Sequence, residues 1–418
     1  MKLWLVLFCI IISLNSGFAQ KISLDSCLNM ARNNYPMIKQ LELLDKIEGF
    51  NIKNINATWL PNLSGTAQAS IQSDVTSIKI SIPGFPAIEP PNKDQYKFFI
   101  DAGQLLFDGG ATKQQKIISR LQSQSDKLKV ESELYKLKDK VINLYFGILL
   151  LQEQINILNF SKKDIEGLLK KTKNAYEAKV VSGYQLNSVL AESEKLDQRA
   201  LELSYQMTNL TQSLSLLTNK NITDKNEFIV PVKVNINTTL NRPEINLLTL
   251  QEQLIDHQYK WSTTMAIPKL VAFAQGGYAN PALNFLKNEF NTYYVAGLRL
   301  NWNISSLYNL NRSKNISLIN KSISQLNIET LEFNIHLSRI QQDELTKKFE
   351  MLVLSDQRLI VLNSKIKDAS KLQYENGTIT LNDYLKDLDA EEQSKTNELI
   401  HKLSYLQSII LINNLYGN

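Results

Sequence analysis

Few residues in this chain are of types that do chemistry, and their spacing completes no site. Its histidines are His257, His336 and His401. They fall on separate helical stretches without the paired spacing of zinc ligands, which marks them as surface side chains. Cys27 lies beside Leu24 and Leu28 on an amphipathic stretch and reads as a packed thiol, not a nucleophile. Asp108-Gly109-Gly110 follows a strand pattern, as a phosphate loop does, but no Lys-Ser/Thr sequel comes after it. The chain is therefore expected to be no enzyme and to hold no cofactor or metal.

The polar residues that do fall in a pattern lie at two helix breaks. Tyr374 to Leu385 reads Tyr-Glu-Asn-Gly-Thr-Ile-Thr-Leu-Asn-Asp-Tyr-Leu, and Tyr176 to Asn187 reads Tyr-Glu-Ala-Lys-Val-Val-Ser-Gly-Tyr-Gln-Leu-Asn. Tyr176 answers Tyr374, Glu177 answers Glu375, Ser182 answers Thr380 and Gln185 answers Asp383, without a gap. Gly377 can take the left-handed conformation that ends a helix. Thr380 can cap the next helix by accepting a bond from an orphan N–H. Asp383 falls just inside that helix, where a negative charge meets the positive end of the dipole. A long helix, a tight turn and a helix back, made twice, reads as an internal repeat.

Long amphipathic helices must carry these breaks. Leu134, Leu137, Val141, Leu144, Ile148, Leu151, Ile155 and Leu158 step by three and four in alternation, and Ile165, Leu169, Thr172 and Tyr176 continue the stripe. From about Ala111 to Ala178 such a helix reaches ~100 Å at 1.5 Å per residue, which suits a coiled coil or bundle and not a globular core. The returning helix, with its stripe from Leu196 to Leu217, is about half as long. The helix Pro36 to Ala57 has about the missing length. The second half repeats the plan. A long helix runs from about Tyr308 to Tyr374, and a last one carries Leu385, Leu388, Leu399 and Leu403.

Between the helices the period changes to two. Leu63, Gly65, Ala67, Ala69 and Ile71 alternate with Asn62, Ser64, Thr66, Gln68 and Ser70, a strand with one small or apolar face and one polar face. Tyr96 to Phe107 is a second strand, less clean because Phe98, Phe99 and Ile100 are consecutive. Leu270 to Tyr278 and Thr292 to Asn303 are a third and fourth. The loop Ser73 to Lys93, with Pro83, Pro86, Pro90 and Pro91, precludes a regular ladder. Trp302, Phe107, Tyr293 and Tyr294 lie near strand ends, where membrane-interface aromatics belong. The organisation read from these patterns is a signal peptide at 1–19, a first repeat at 20–218 with strands at 62–72 and 96–107 and a turn near 179–183, a linker or equatorial segment at 219–240, and a second repeat at 241–418 with strands at 269–279 and 292–303 and a turn near 376–380.

Composition narrows the class. Lys2, the apolar run Leu3 to Leu14 and Gly17-Phe18-Ala19 read as a secretory signal cut after Ala19. No later stretch reads as a membrane-spanning helix. The net charge of +5 is small, with lysines spread among glutamates, so no nucleic-acid patch is expected. The product is exported and soluble or sits in an outer membrane as strands. Four strands cannot close a barrel, since the smallest membrane barrels have about eight. An open sheet in lipid leaves edge N–H and C=O groups unpaired. Either the strands stay in water, as in an exported structural or adhesive coiled-coil protein, or several chains pool them.

The chain resembles the TolC-like outer-membrane efflux proteins. The resemblance rests on Asn33-Asn34-Tyr35-Pro36, on Leu60-Pro61-Asn62-Leu63 and its echo Ile267-Pro268-Lys269-Leu270, on Leu105-Leu106-Phe107-Asp108-Gly109-Gly110, and on Tyr374-Glu375-Asn376-Gly377. It implies a mixed α and β membrane protein. Long antiparallel helices would form an α-helical barrel in a homotrimer, and four strands per chain would join a shared twelve-stranded β-barrel in outer-membrane lipid. The implied function is a passive export duct of a tripartite efflux or type I secretion system. The implied partners are a periplasmic adaptor and an inner-membrane pump or secretion ATPase. The family's adaptor-docking turns match Lys179, Val180, Val181 and Ser182, and Gly377, Thr378, Ile379 and Thr380. Its periplasmic aperture matches Asp383, with Tyr374 as a latch. Lys179 stands where the family prefers Gly, Lys386 where some members are acidic, and Ile379 where some have an arginine.

Overall fold

The computed structural model describes residues 21–76, 90–232 and 235–417. The expected signal peptide, and Pro83, Gly84 and Pro86 of the expected loop, lie outside the described residues. In chain order come α1 (Leu24–Asn34), a 3-10 turn (Pro36–Ile38), α2 (Lys39–Ala57), β1 (Asn62–Ile71), β2 (Asp94–Phe107), α3 (Ala111–Glu177) and α4 (Gly183–Thr218). Then follow α5 (Pro243–Thr264), β3 (Lys269–Asn280), β4 (Asn291–Asn301), a 3-10 turn (Ile304–Asn309), α6 (Leu310–Glu375) and α7 (Leu381–Tyr416). The order helix, two strands, very long helix, shorter helix thus occurs twice. The chain divides into two compact units, one of residues 40–129 and 246–329, the other of the remainder.

The first unit holds the strands. They form one antiparallel sheet in the order β1-β2-β3-β4. β2 and β3 are neighbours although three helices, α3, α4 and α5, separate them in sequence. β1 and β4 are edges with no partner strand among the described residues. The junction from β2 into α3 is tightly built. The carboxylate of buried Asp108 accepts from the Gly110 N–H at 2.8 Å and the Thr112 N–H at 2.6 Å, which satisfies two orphan donors of the helix. Gly109 makes the bend with φ +66, and a Cβ there would stand 2.7 Å from Ile267. The helical segments lie side by side. Lys127 of α3 pairs with Asp45 of α2, His257 of α5 meets Gln114 of α3 at 2.9 Å, and Lys321 of α6 meets Asp256 of α5 at 2.6 Å.

The second unit has the larger apolar core. Cys27 and Ala31 of α1, Val141, Tyr145 and Ile148 of α3, and Val189 and Leu214 of α4 are fully or almost fully buried there. Asn34 donates to the carbonyls of Leu216 and Leu217, both at 3.0 Å, and so satisfies acceptors that the C-terminus of α4 leaves open. Burial pushes the Cys27 thiol up to about 11, which makes it a neutral packed group. The linker 219–240 gives a single parallel bridge, between Ile22 and Phe228, among its described residues.

One sequence expectation needs correction. α3 contains a window long and apolar enough to cross a bilayer by length and composition. Burial accounts for it: Val141, Ile142, Tyr145, Phe146, Ile148 and Leu149 sit in the core cluster. Hydropathy measured along a sequence cannot tell lipid from the protein's own interior.

Tyr145 anchors that core. Its hydroxyl lies 2.8 Å from the Ile22 carbonyl and 2.7 Å from that of Ile229, and its ring meets Phe228 edge-on at 5.2 Å. Burial raises its pKa above the ordinary phenol value, so it stays a neutral donor. Tyr145→Phe keeps the ring and removes the donor. It is expected to lower stability by about 1–2 kcal/mol, less than the ~2–5 kcal/mol of Ile148→Ala, which opens a cavity. Thermal unfolding in mild detergent measures both. An unchanged Tyr145→Phe protein would show that the two carbonyls do not need the phenol.

Candidate functional site

The strand register assembles a wall. Leu63 faces Ala102, Gly65 faces Ile100, Ala67 faces Phe98 and Ala69 faces Tyr96. Phe98 continues to Tyr278, Ile100 to Gly276 and Ala102 to Ala274. Gly276 continues to Tyr294, Ala274 to Ala296, Ala272 to Leu298 and Leu270 to Leu300. Because side chains alternate with period two, these residues share one face, and it is apolar across all four strands. Ile71 is 84% exposed there and Tyr294 82%. The other face carries Ser64, Thr66, Gln68, Lys97, Asp101, Gln275 and Arg299.

The run Phe98-Phe99-Ile100 resolves in this register. Phe98 and Ile100 join the apolar face, while Phe99 pairs with Gly277 on the polar one. A Cβ at Gly277 would stand 2.5 Å from the Phe98 carbonyl oxygen and 2.7 Å from the Phe99 Cβ, so the glycine permits the close approach of the two strands. A bulge between Leu105 and Phe107 shifts the register and brings Phe107 opposite Leu270 on the apolar side. Tyr293 corrects its expected place among the interface aromatics. Its pairing with Gly277 puts it on the polar face, because neighbours in a strand point opposite ways. Trp302 lies just past β4 and donates from Nε1 to the Ala266 carbonyl at 3.0 Å.

The helix tips are built alike. At the end of α3, Lys179 takes φ 58, its N–H donates to the Tyr176 carbonyl at 2.9 Å, and the Val180 N–H donates to Ala175 at 2.8 Å. At the end of α6, Gly377 takes φ 74, its N–H donates to Tyr374 at 2.9 Å, and the Thr378 N–H donates to Gln373 at 2.9 Å. Both are Schellman closures, with a left-handed residue ending the helix. Lys179 fills the glycine's place with a Cβ that this conformation disfavours. The next helices start alike too. The Ser182 N–H donates to Gln185 Oε1 at 3.1 Å. Thr380 donates from its N–H and its hydroxyl to Asp383 Oδ2, at 3.1 and 2.6 Å, and accepts from the Asp383 N–H at 3.2 Å.

Asp383 is thus an exposed capping-box carboxylate, and the hydroxyl and then the N–H of Thr380 hold its pKa below the usual range. A lowered folded pKa means that the cap is fully made above the ordinary carboxylate range and weakens as pH falls through it. Tyr374, the expected latch, stacks on Tyr384 at 5.8 Å, 5° from parallel. Val181 and Tyr374 line one cleft with Lys171, Thr172, Glu375 and Tyr384. Two contacts that sequence reasoning missed tie the hairpins together. Lys171 pairs with Glu375 at 2.9 Å, and Asn382 Nδ2 donates to the Tyr184 hydroxyl at 2.9 Å. The aligned phrases set Asn382 level with Tyr184 but carry no sign that the two hairpins lie side by side. His257 and His401 each meet a single polar partner, Gln114 and Asp356.

Residues 27–220 match the outer membrane efflux protein family. That match spans 194 of the 418 residues, a little under half of the chain. Solved outer-membrane channels share its fold. The CmeC channel of Campylobacter jejuni superposes with a TM-score of 0.68 at 16% identity, over 94% of this chain and 85% of that one. VceC of Vibrio cholerae gives 0.61 at 12% identity, over 94% and 95%. MtrE of Neisseria gonorrhoeae, in its open state, gives 0.61 at 14% identity, over 94% and 89%. No curated protein matches by sequence. The matched family and the shared fold are those of outer-membrane channels.

The two tips differ at one backbone position, and opposite substitutions exploit it. Gly377→Ala should loosen its turn by about 1–2 kcal/mol, the ordinary left-handed penalty. No atom lies within 4 Å of the added Cβ, so the backbone alone decides. Lys179→Gly should tighten its turn by up to ~1 kcal/mol, once the greater freedom of glycine is deducted. Hydrogen exchange at the Thr378 and Val180 amides, the closing donors, reads each change. Exchange that moves the same way in both variants would refute the backbone account.

Proposed function

We propose that this protein is a passive outer-membrane duct of a tripartite efflux or type I secretion assembly, extending into the periplasm, and that three copies build it. The observation that carries the reading is the sheet, which has a continuous apolar face, a polar face and two unpaired edges. In hydrocarbon each orphan N–H or C=O costs several kcal/mol, so β4 of one copy pairs with β1 of the next until the ring closes. Three copies of four strands give twelve. The apolar face meets lipid and the polar face lines a wet lumen, the alternation of a membrane barrel. The helices support the same closure. α2 exposes Leu43, Ile47 and Phe50, and α6 exposes Ile316, Ile319, Ile323 and Leu326, at the two sides of the row α2-α3-α5-α6. Such stripes need partners, and in a head-to-tail ring each copy supplies them to the next. Crosslinking of protein extracted in mild detergent is expected to trap trimers. A folded monomer that stays monomeric at high concentration would overturn the assembly.

The tips are the closed end and the docking end of the duct. Lys179, Val180, Val181 and Ser182 with Gly377, Thr378, Ile379 and Thr380 meet the periplasmic adaptor, and an inner-membrane pump or secretion ATPase drives cargo through it. Asp383 narrows and charges the aperture. Threefold symmetry sets three carboxylates around one axis, and such a ring favours cations. Its lowered pKa keeps each copy ionised at neutral pH. Tyr374, Lys171–Glu375 and Asn382–Tyr184 hold the hairpins in the closed arrangement. In planar bilayers Asp383→Asn should weaken cation selectivity and block by multivalent cations. Unchanged conductance and selectivity would leave Asp383 as a capping residue only.

A further inference from the structure

The loop between β3 and β4, residues 281–290, is unusually apolar for a segment outside a barrel. Leu283 is 59% exposed, Phe285 53% and Leu286 46%. Its last residue, Phe290, falls two before Thr292 and four before Tyr294, so it continues the apolar face of β4. Its ring stacks on Tyr278 at 5.2 Å, 18° from parallel, and meets Tyr96 at 6.2 Å. Tyr278 and Tyr96 both belong to the apolar face of the sheet. At its other flank Asn288 and Asn92 exchange hydrogen bonds of 2.8 and 3.1 Å, which fixes the loop beside the start of β2. The helices join the opposite ends of the strands, so the loop lies at the outer end of the barrel.

We propose that the β3–β4 loop is bedded in the outer leaflet, with Leu283, Phe285 and Leu286 among acyl chains, and that it is no lid on the channel mouth. The proposal rests on the lipid-facing assignment of the sheet, since the loop's apolar surface continues that face through Phe290, Tyr278 and Tyr96. A contiguous apolar patch at the rim of a lipid-facing wall has acyl chains as its nearest apolar partner. Lys287 and Glu289, both exposed, are the charged residues of the loop and reach the headgroup level from there. A loop folded over the mouth would instead put three large apolar side chains in water at the exit of a polar lumen.

Nitroxide labels decide the matter in the full-length protein, reconstituted in phosphatidylethanolamine–phosphatidylglycerol vesicles. Phe285→Cys and Leu286→Cys carry the label in the loop, and Leu298→Cys carries it on the apolar face of β4. Cys9→Ser removes the other thiol, and Cys27 is fully buried with its thiol pushed up to about 11 by burial, so it takes no label. The measured quantity is the collision rate with oxygen, which concentrates in lipid, against that with a water-soluble nickel chelate. The expected result is a severalfold excess of oxygen collisions at all three positions. Chelate dominance at either loop position, with oxygen dominance at Leu298, overturns the loop proposal and leaves the sheet assignment standing. Chelate dominance at Leu298 removes the lipid-facing sheet and the loop proposal with it.

Discussion

The constraint on which this molecule depends is that a backbone polar group cannot go unpaired in hydrocarbon. Helices meet it within themselves, and sheets meet it only by closing. Here the sheet has four strands and two open edges within one chain. Neither edge is blunted in the usual ways, since β1 and β4 hold 10 and 11 residues and no proline. A soluble protein with such edges would invite uncontrolled pairing. In a membrane channel the same edges are joints, and the polar lumen face and apolar outer face follow from the period of the strand. The wall and the assembly are two consequences of one rule.

That rule also explains which parts of the fold were legible in the sequence. Leu63 to Ile71 alternates cleanly with Asn62 to Ser70, because that strand gives one apolar and one polar face to the sheet. The long heptad runs of α3 and α6 were readable for the same reason, as period-3.5 stripes that must meet other helices. The run Phe98-Phe99-Ile100 was not readable. Its middle residue falls on the polar face opposite Gly277, a residue far away in sequence that periodicity cannot see. The bulge at Leu105 and Phe107 and the pairing of β2 with β3 are likewise contacts between distant segments. So is the apolar window in α3, which sequence reasoning did not count as span-like and which packing explains as core.

The tips show how local grammar and function share the same atoms. The aligned phrases around Tyr176 and Tyr374 gave the turn chemistry, a left-handed closure followed by a capped helix start. They did not give the ties between the hairpins, Lys171 to Glu375 and Asn382 to Tyr184, since these depend on how two hairpins are set side by side. The ion pair joins two substantially exposed side chains and contributes little in water. The Asn–Tyr bond is neutral and likewise exposed. Weak ties suit the proposed closure, because a strongly bonded tip would keep such a duct shut.

Asp383 makes the same point at the level of one side chain. Capping the helix and charging an aperture look like competing roles, yet the geometry makes them compatible. The cap engages Oδ2, and Oδ1 makes no hydrogen bond among the described residues. The donors that bind Oδ2 are also what lowers the pKa and so holds the negative charge on the whole carboxylate. A capping box therefore does more than start a helix here. It keeps an exposed acid ionised and fixes its position, and these are the two properties that a ring of charge at a narrow pore requires.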